Sequence, residues 1–127
     1  MIYGIGTDLV AVARMAALLA RHGERAARRI LAPEEWSQFA QKSDPARFLA
    51  KRFAAKEALA KALGTGLRNP VALSNIHVLH SPLGQPQLAF AAALQDWLAA
   101  RDIVRTHLSI SDESDYVIAF VILETTP

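Results

Sequence analysis

Cysteine is absent from the chain of 127 residues, which excludes disulfide frameworks, thiolate zinc sites and cysteine nucleophiles together. Any bound metal must then be held by oxygen or imidazole. Long apolar runs are missing too, because Arg or Lys breaks each alanine-rich stretch well before the roughly 18 residues of a membrane span. The opening Met1-Ile2-Tyr3-Gly4-Ile5-Gly6 lacks the basic start and small-residue cleavage site of a secretory signal. The expectation is a cytoplasmic protein with no membrane attachment. Charge of one sign is scarce as well: a net +2 speaks against general nucleic-acid binding.

What is present is apolar. A hydrophobic content of 52% against 20% charged residues supports one modest core and a single domain over residues 1–127, with apolar side chains left over for a partner subunit to cover. The few charges are unevenly placed. Between Val10 and Leu31, Arg14, Arg21, Arg25, Arg28 and Arg29 stand against Glu24 alone. Such a run is either a solvated helix face or a docking surface for an acidic partner.

The pattern predicts a strand over Ile2 to Asp8, ending in the helix-capping types Thr7 and Asp8, and a helix from Leu9 to about Ala20. A short basic helix follows over Glu24 to Leu31, and another restarts at Pro33. The strongest helical segment runs from Ala46 to Leu63 after Asp44-Pro45, and Gly64-Thr65-Gly66 closes it. Its alanines lie on nearly every side, as in a helix that is central or shared with a partner. Beyond Asn69-Pro70 the character turns to β: Asn75 to His80, a turn at 81–84, then Gln87 to Phe90. A helix from Ala91 to about Ala100 precedes a hairpin of Thr106 to Ser111 and Tyr116 to Glu124. The mixed order gives an α+β fold with a small antiparallel sheet and a long helix.

Few residues stand out as chemistry. Gly4-Ile5-Gly6 with Thr7-Asp8-Leu9 superficially resembles a phosphate-cradling loop, but it lacks both the third glycine of a dinucleotide site and the lysine of a P-loop. Asp8 alone reads as an ordinary helix cap. Glu57 borders an apolar row of its helix, and Lys61 one turn later would make an intrahelical pair worth about 0.3–0.5 kcal/mol. His77 and His80 would point to opposite faces of a strand, which argues against zinc. His107, Ser109 and Asp112 have hydrolase-triad types, yet they crowd one hairpin, where three tips rarely converge.

Ile2-Tyr3-Gly4-Ile5-Gly6-Thr7-Asp8-Leu9-Val10 and the run Arg52-Phe53-Ala54-Ala55-Lys56-Glu57-Ala58 through Gly66 resemble the two signature motifs of the holo-acyl-carrier-protein synthases. The Gly84-Gln85-Pro86 turn and His107-Leu108-Ser109-Ile110-Ser111-Asp112 are similar too, so the resemblance spans essentially the whole chain. It implies a 4′-phosphopantetheinyl transferase fold in which Asp8 and Glu57 ligate one Mg²⁺ that also binds the pyrophosphate of coenzyme A. Lys61 would offset pyrophosphate charge, and Arg52, His107, Ser109 and Ser111 are weaker candidates for coenzyme contacts. The basic helix, with Arg14, Met15 and Arg21, would grip an acidic acyl carrier protein. A serine of that carrier would receive phosphopantetheine in support of fatty acid synthesis, its proton passing to Glu57 or to a water on the ion.

Larger relatives with two fused halves carry a third carboxylate where this chain has Val10, so the resemblance is to the short branch. Many members have histidine where Asp112 stands. A homotrimer with sites at the subunit clefts is also implied, and two features favour a partner independently. One is the helix with little polar surface; the other is a last strand apolar on both faces, Val117, Ala119 and Val121 against Ile118, Phe120 and Ile122. Two rivals remain: a non-enzymatic module binding phosphate or an acidic protein, and a transferase of the same family serving a polyketide or peptide synthase.

Overall fold

A computed structural model describes residues 1–127. The first strand, β1, runs Ile2–Ala11, three residues past Asp8, before α1 (Val12–His22) begins. The capping assignment of Asp8 is therefore corrected. Asp8 pairs with Ala119 inside a sheet, and Ala11 occupies the cap position without a side-chain bond. Pairing with a distant strand has overridden a local capping signal. Gly23, at φ 59°, closes α1 and admits α2 (Glu24–Ile30).

A single tight turn over Pro33–Glu35 leads into α3 (Trp36–Ala40), and Asp44 then caps α4 (Pro45–Leu63) by accepting from the Arg47 amide. Gly64 in the left-handed conformation terminates α4. The strands β2 (Ile76–His80) and β3 (Pro86–Phe90) form a separate hairpin, followed by α5 (Ala92–Ala99). The last hairpin, β4 (Ile103–Asp112) and β5 (Tyr116–Thr125), joins β1 in an antiparallel sheet of order β1-β5-β4. No helix is long and apolar enough to cross a membrane.

The helix α4 is central. It lies across the inner face of the sheet, where Val10, Val117, Ala119 and Val121 are buried, and Leu49, Ala54, Ala58 and Leu59 are buried with them. A Cβ added at Gly4 or Gly6 would collide with the backbone carbonyls of Ala62 and Ala58. The paired glycines therefore let helix and strand backbones touch, and they explain the apparent phosphate loop as a packing device.

The opposite side of α4 buries charge. Glu35, fully enclosed, accepts from the Ala32 and Val78 amides at 2.9 and 3.0 Å, from Lys56 Nζ at 2.7 Å, and faces Arg52 Nε at 3.1 Å. Lys56 spends its other two protons on the carbonyls of Ile30 and Leu73. Arg52 Nε is buried and, although close to Glu35, makes no hydrogen bond; the bonds of Glu35 and Lys56 still pin α2, the Pro33–Glu35 turn and β2 around the central helix.

The outer face of the sheet is bare. Ile5, Leu9, Tyr116, Ile118 and Phe120 are all exposed there. Of the two features that pointed to a partner subunit, α4 is thus covered within its own chain, while the sheet face is not.

Candidate active site

The close crossing of β1 and α4 sets Asp8 beside Glu57 and Lys61. Lys61 Nζ donates to Asp8 Oδ1 at 3.0 Å, and the Asp8 side chain is only 15% exposed. Lys61 thus bridges to the strand, a change from the intrahelical pair with Glu57 that spacing suggested. Glu57 has no donor of its own. Burial first, then the charge of Asp8, pushes its carboxyl above the usual range, opposed by Lys61 and Arg14. Two carboxylates with one lysine between them form a site that is short of positive charge.

Arg14 connects this pair to a groove. Its guanidinium lies 5.2 Å from the centre of the Phe53 ring, at one end of a cleft of about 290 Å³ between α1 and α2. Leu18, His22, Arg25, Arg29 and Ile30 continue the lining, so an apolar floor carries a basic rim. Met15 is fully buried and belongs to the core, which corrects its assignment as a docking contact: on α1 it lies on the side turned toward α4. Arg21 is exposed but outside the cleft. His22, Arg25 and Arg29 were missed as lining residues, although the i, i+4 row Arg14-Leu18-His22 was readable.

A second basic pocket, of about 220 Å³, opens at the N-terminal end of α4 among Lys42, Arg47, Lys51, Arg52 and His80. Burial and then the charges of Arg52, Lys42 and Lys51 hold the His80 imidazole below its ordinary pKa. Arg52 is 4% exposed and engaged with Glu35 and Gln38, so its first role is structural. It also lines this pocket and contributes charge to it. Lys42, Arg47 and Lys51 escaped notice, and His80 was weighed only for zinc, because the four come from three separate segments.

His107, Ser109 and Ser111 pair across β5 with Ile122, Phe120 and Ile118. They therefore share the outer sheet face, whereas Asp8 pairs with Ala119 and turns inward. Within one chain the hairpin serines and the carboxylates stand on opposite sides of the sheet. His107 Nε2 lies 2.6 Å from Glu124 Oε2.

Residues 4–121 match the family model of the 4′-phosphopantetheinyl transferase superfamily. The chain belongs to this superfamily. It is 61% identical to the holo-[acyl-carrier-protein] synthase of Laribacter hongkongensis, over 98% of this chain and 99% of that one. The crystal structure of the Neisseria meningitidis holo-[acyl-carrier-protein] synthase superimposes with a TM-score of 0.96 at 50% identity, covering 98% of this chain and all of the other. The corresponding Bacillus anthracis enzyme, in complex with CoA (3′,5′-ADP), gives 0.80 at 34% identity, with 99% of each chain covered. The α+β transferase fold is thereby shown.

For a member of this superfamily the donor set at the crossing is informative. Asp8 and Glu57 are hard oxygen donors from separate elements, and no cluster of three potential ligands surrounds them. That fits magnesium, which is held by one or two carboxylates and leaves its other positions to water and substrate phosphate. It does not fit zinc, which takes three or four protein ligands.

Proposed function

We propose that this chain, acting as one domain over residues 1–127, transfers the 4′-phosphopantetheine arm of coenzyme A to a serine of an apo-acyl carrier protein. The observation that carries the reading is the pairing of Asp8 and Glu57 across the glycine-lined crossing of β1 and α4, in a chain so similar to synthases of that activity. The serine Oγ forms a bond to the β-phosphorus of coenzyme A, and the pyrophosphate bridge breaks to release adenosine 3′,5′-bisphosphate. When bound by Asp8 and Glu57, Mg²⁺ supplies charge neutralisation at the pyrophosphate.

This chain's own residues do the rest. Lys61, half exposed beside Asp8, offsets phosphate charge. Glu57, or a water held beside it, receives the serine proton. The groove edged by Arg14, Arg25 and Arg29 takes an acidic, partly apolar surface of the carrier and delivers its serine beside Glu57. The pocket of Lys42, Arg47, Lys51 and His80 takes the phosphates of the coenzyme's nucleotide end.

The work is cytoplasmic and serves fatty acid synthesis, the role implied by resemblance to the short branch of the family. We further propose a homotrimer. Its support is the bare outer sheet face, too apolar for solvent, which carries His107, Ser109 and Ser111 and would present them to a neighbour's carboxylates. Light scattering should return about three times the 13.8 kDa chain mass, and Phe120→Asp, on the outer face, should dissociate the assembly with loss of activity. A fully active monomer would defeat the shared site.

The transfer itself is tested by incubating the protein with coenzyme A, Mg²⁺ and apo-carrier and weighing the carrier. A phosphopantetheine adduct that needs all three components is expected. Metal-independent binding without an adduct would favour the non-enzymatic module.

A further inference from the structure

Asp112, the last residue of β4, borders the basic pocket at the head of α4 and holds two of its lining cations. Its Oδ2 accepts from Arg47 Nη1 at 3.0 Å, and its Oδ1 lies 3.5 Å from Lys51 Nζ. Both cations line the pocket, together with Lys42, which sits 5.4 Å over the Phe48 ring. Arg52 behind them already faces Glu35. Asp44 lines the pocket and Asp112 stands beside it, so Asp112 engages the two cations that an incoming anion would bond.

The other contacts of the two cations differ. Arg47 is also held by Asp44 Oδ2 at 3.3 Å and by the carbonyls of Glu113 and Ser114, both at 2.7 Å. Those bonds keep the guanidinium in place and the hairpin docked whether or not Asp112 stays. Lys51, by contrast, has Asp112 as its sole ion-pair partner. Asp112 is also partly solvent-exposed, so its side chain alone must rotate to clear the donors.

We propose that Asp112 is a resident anion of this pocket, occupying Arg47 and Lys51 until a phosphate of the coenzyme's nucleotide end displaces it, and thereby setting the affinity for that end. The proposal rests on the reading of the pocket as the phosphate-binding part of the coenzyme site. A phosphate monoester carries more charge than a carboxylate and three acceptor oxygens, so it wins the exchange. The carboxylate subtracts from the gain twice, by competing for the donors and by repelling the phosphate. Asp112 is an affinity-determining residue that need not touch the reacting atoms.

The test is calorimetric titration of adenosine 3′,5′-bisphosphate into the full chain and three variants, Asp112→Asn, Lys51→Ala and the double substitution, each first checked for an unchanged melting profile. Asp112→Asn keeps the side-chain shape and removes the charge; Asp112→Ser is the substitute should the first not fold. We expect Asp112→Asn to bind about three- to tenfold more tightly, and Lys51→Ala to bind more weakly. The gain from Asp112→Asn should shrink in the Lys51→Ala background, because the two residues interact. The coenzyme A KM should fall with the dissociation constant in the Asp112→Asn enzyme. If Lys51→Ala weakens binding while Asp112→Asn leaves it unchanged or weaker, the carboxylate is only a strut for the hairpin and the proposal is overturned, with the pocket's role intact. If neither variant alters binding, the pocket does not take the nucleotide, and the reading beneath the proposal falls with it.

Discussion

Lys56 and Glu57 are neighbours on α4, yet they serve two clusters of opposite character. Lys56 turns into the trio with Glu35 and Arg52, where its three protons meet the Glu35 carboxylate and two carbonyls at 2.7 to 3.0 Å. Glu57 turns the other way, toward Asp8 and Lys61, and receives no hydrogen bond from the protein. In the first cluster two cations share the Glu35 carboxylate, and Gln38 and two backbone carbonyls take further bonds from them, which suits a structural clamp. In the second, two carboxylates share one half-exposed lysine, and the missing positive charge is what a divalent cation would supply, with phosphate binding through that cation. A buried ion and a functional ion are told apart by whether the protein completes their partners.

That contrast breaks most visibly at the clamp. Glu35→Ala should cost about 3–5 kcal/mol, because it strands Lys56 and Arg52 as uncompensated buried cations; urea unfolding measures it, and a loss below ~1 kcal/mol would mean the trio is not a clamp. Glu57→Ala should do the reverse. Its carboxyl is raised by burial and by Asp8, so its contribution to stability is full below the unfolded-state pKa and is lost as pH rises through the higher folded-state value. Removing it should leave the metal-free fold at least as stable as the parent above that value, and unfolding midpoints across pH 4 to 8 should converge in the acid limb.

Much of this was legible in the chain. The helix over residues 45–63 was readable from its cap, its alanines and Gly64, and the closing hairpin from its alternation, because both signals are local. Motif resemblance is what singled out Asp8 and Glu57 together as a proposed metal site. What was illegible depended on distant partners. The cap assigned to Asp8 failed because β5 holds β1 extended through Ala11. Met15 was placed among the docking residues because helical spacing groups residues by face without saying which face is buried. The clamp went unseen since Glu35, Lys56 and the Val78 amide lie on three segments, and Gly4 and Gly6 looked like a phosphate loop until Ala58 and Ala62 were placed against them.

Smaller effects sharpen the contrast. Gly6→Ala would force α4 away from β1, costing about 1–3 kcal/mol by overpacking. It should reduce transfer by more than the loss of folded protein accounts for, as judged from specific activity at a temperature where circular dichroism reports a folded variant. Arg14→Glu reverses a charge at the groove without touching the core. The carrier KM should rise about tenfold and lose much of its salt dependence, with coenzyme A binding little changed; equal weakening of both substrates would point to a folding defect instead.

We propose that Asp8 and Glu57 together form the site at which the ion and the coenzyme meet. Transfer to apo-carrier, followed by mass spectrometry while Mg²⁺ is raised from limiting to saturating, tests it in the parent and in Glu57→Ala side by side. The parent should rise with Mg²⁺ and saturate, while the folded variant should stay without transfer at every concentration. Near-normal transfer by Glu57→Ala at limiting Mg²⁺ would contradict the assignment.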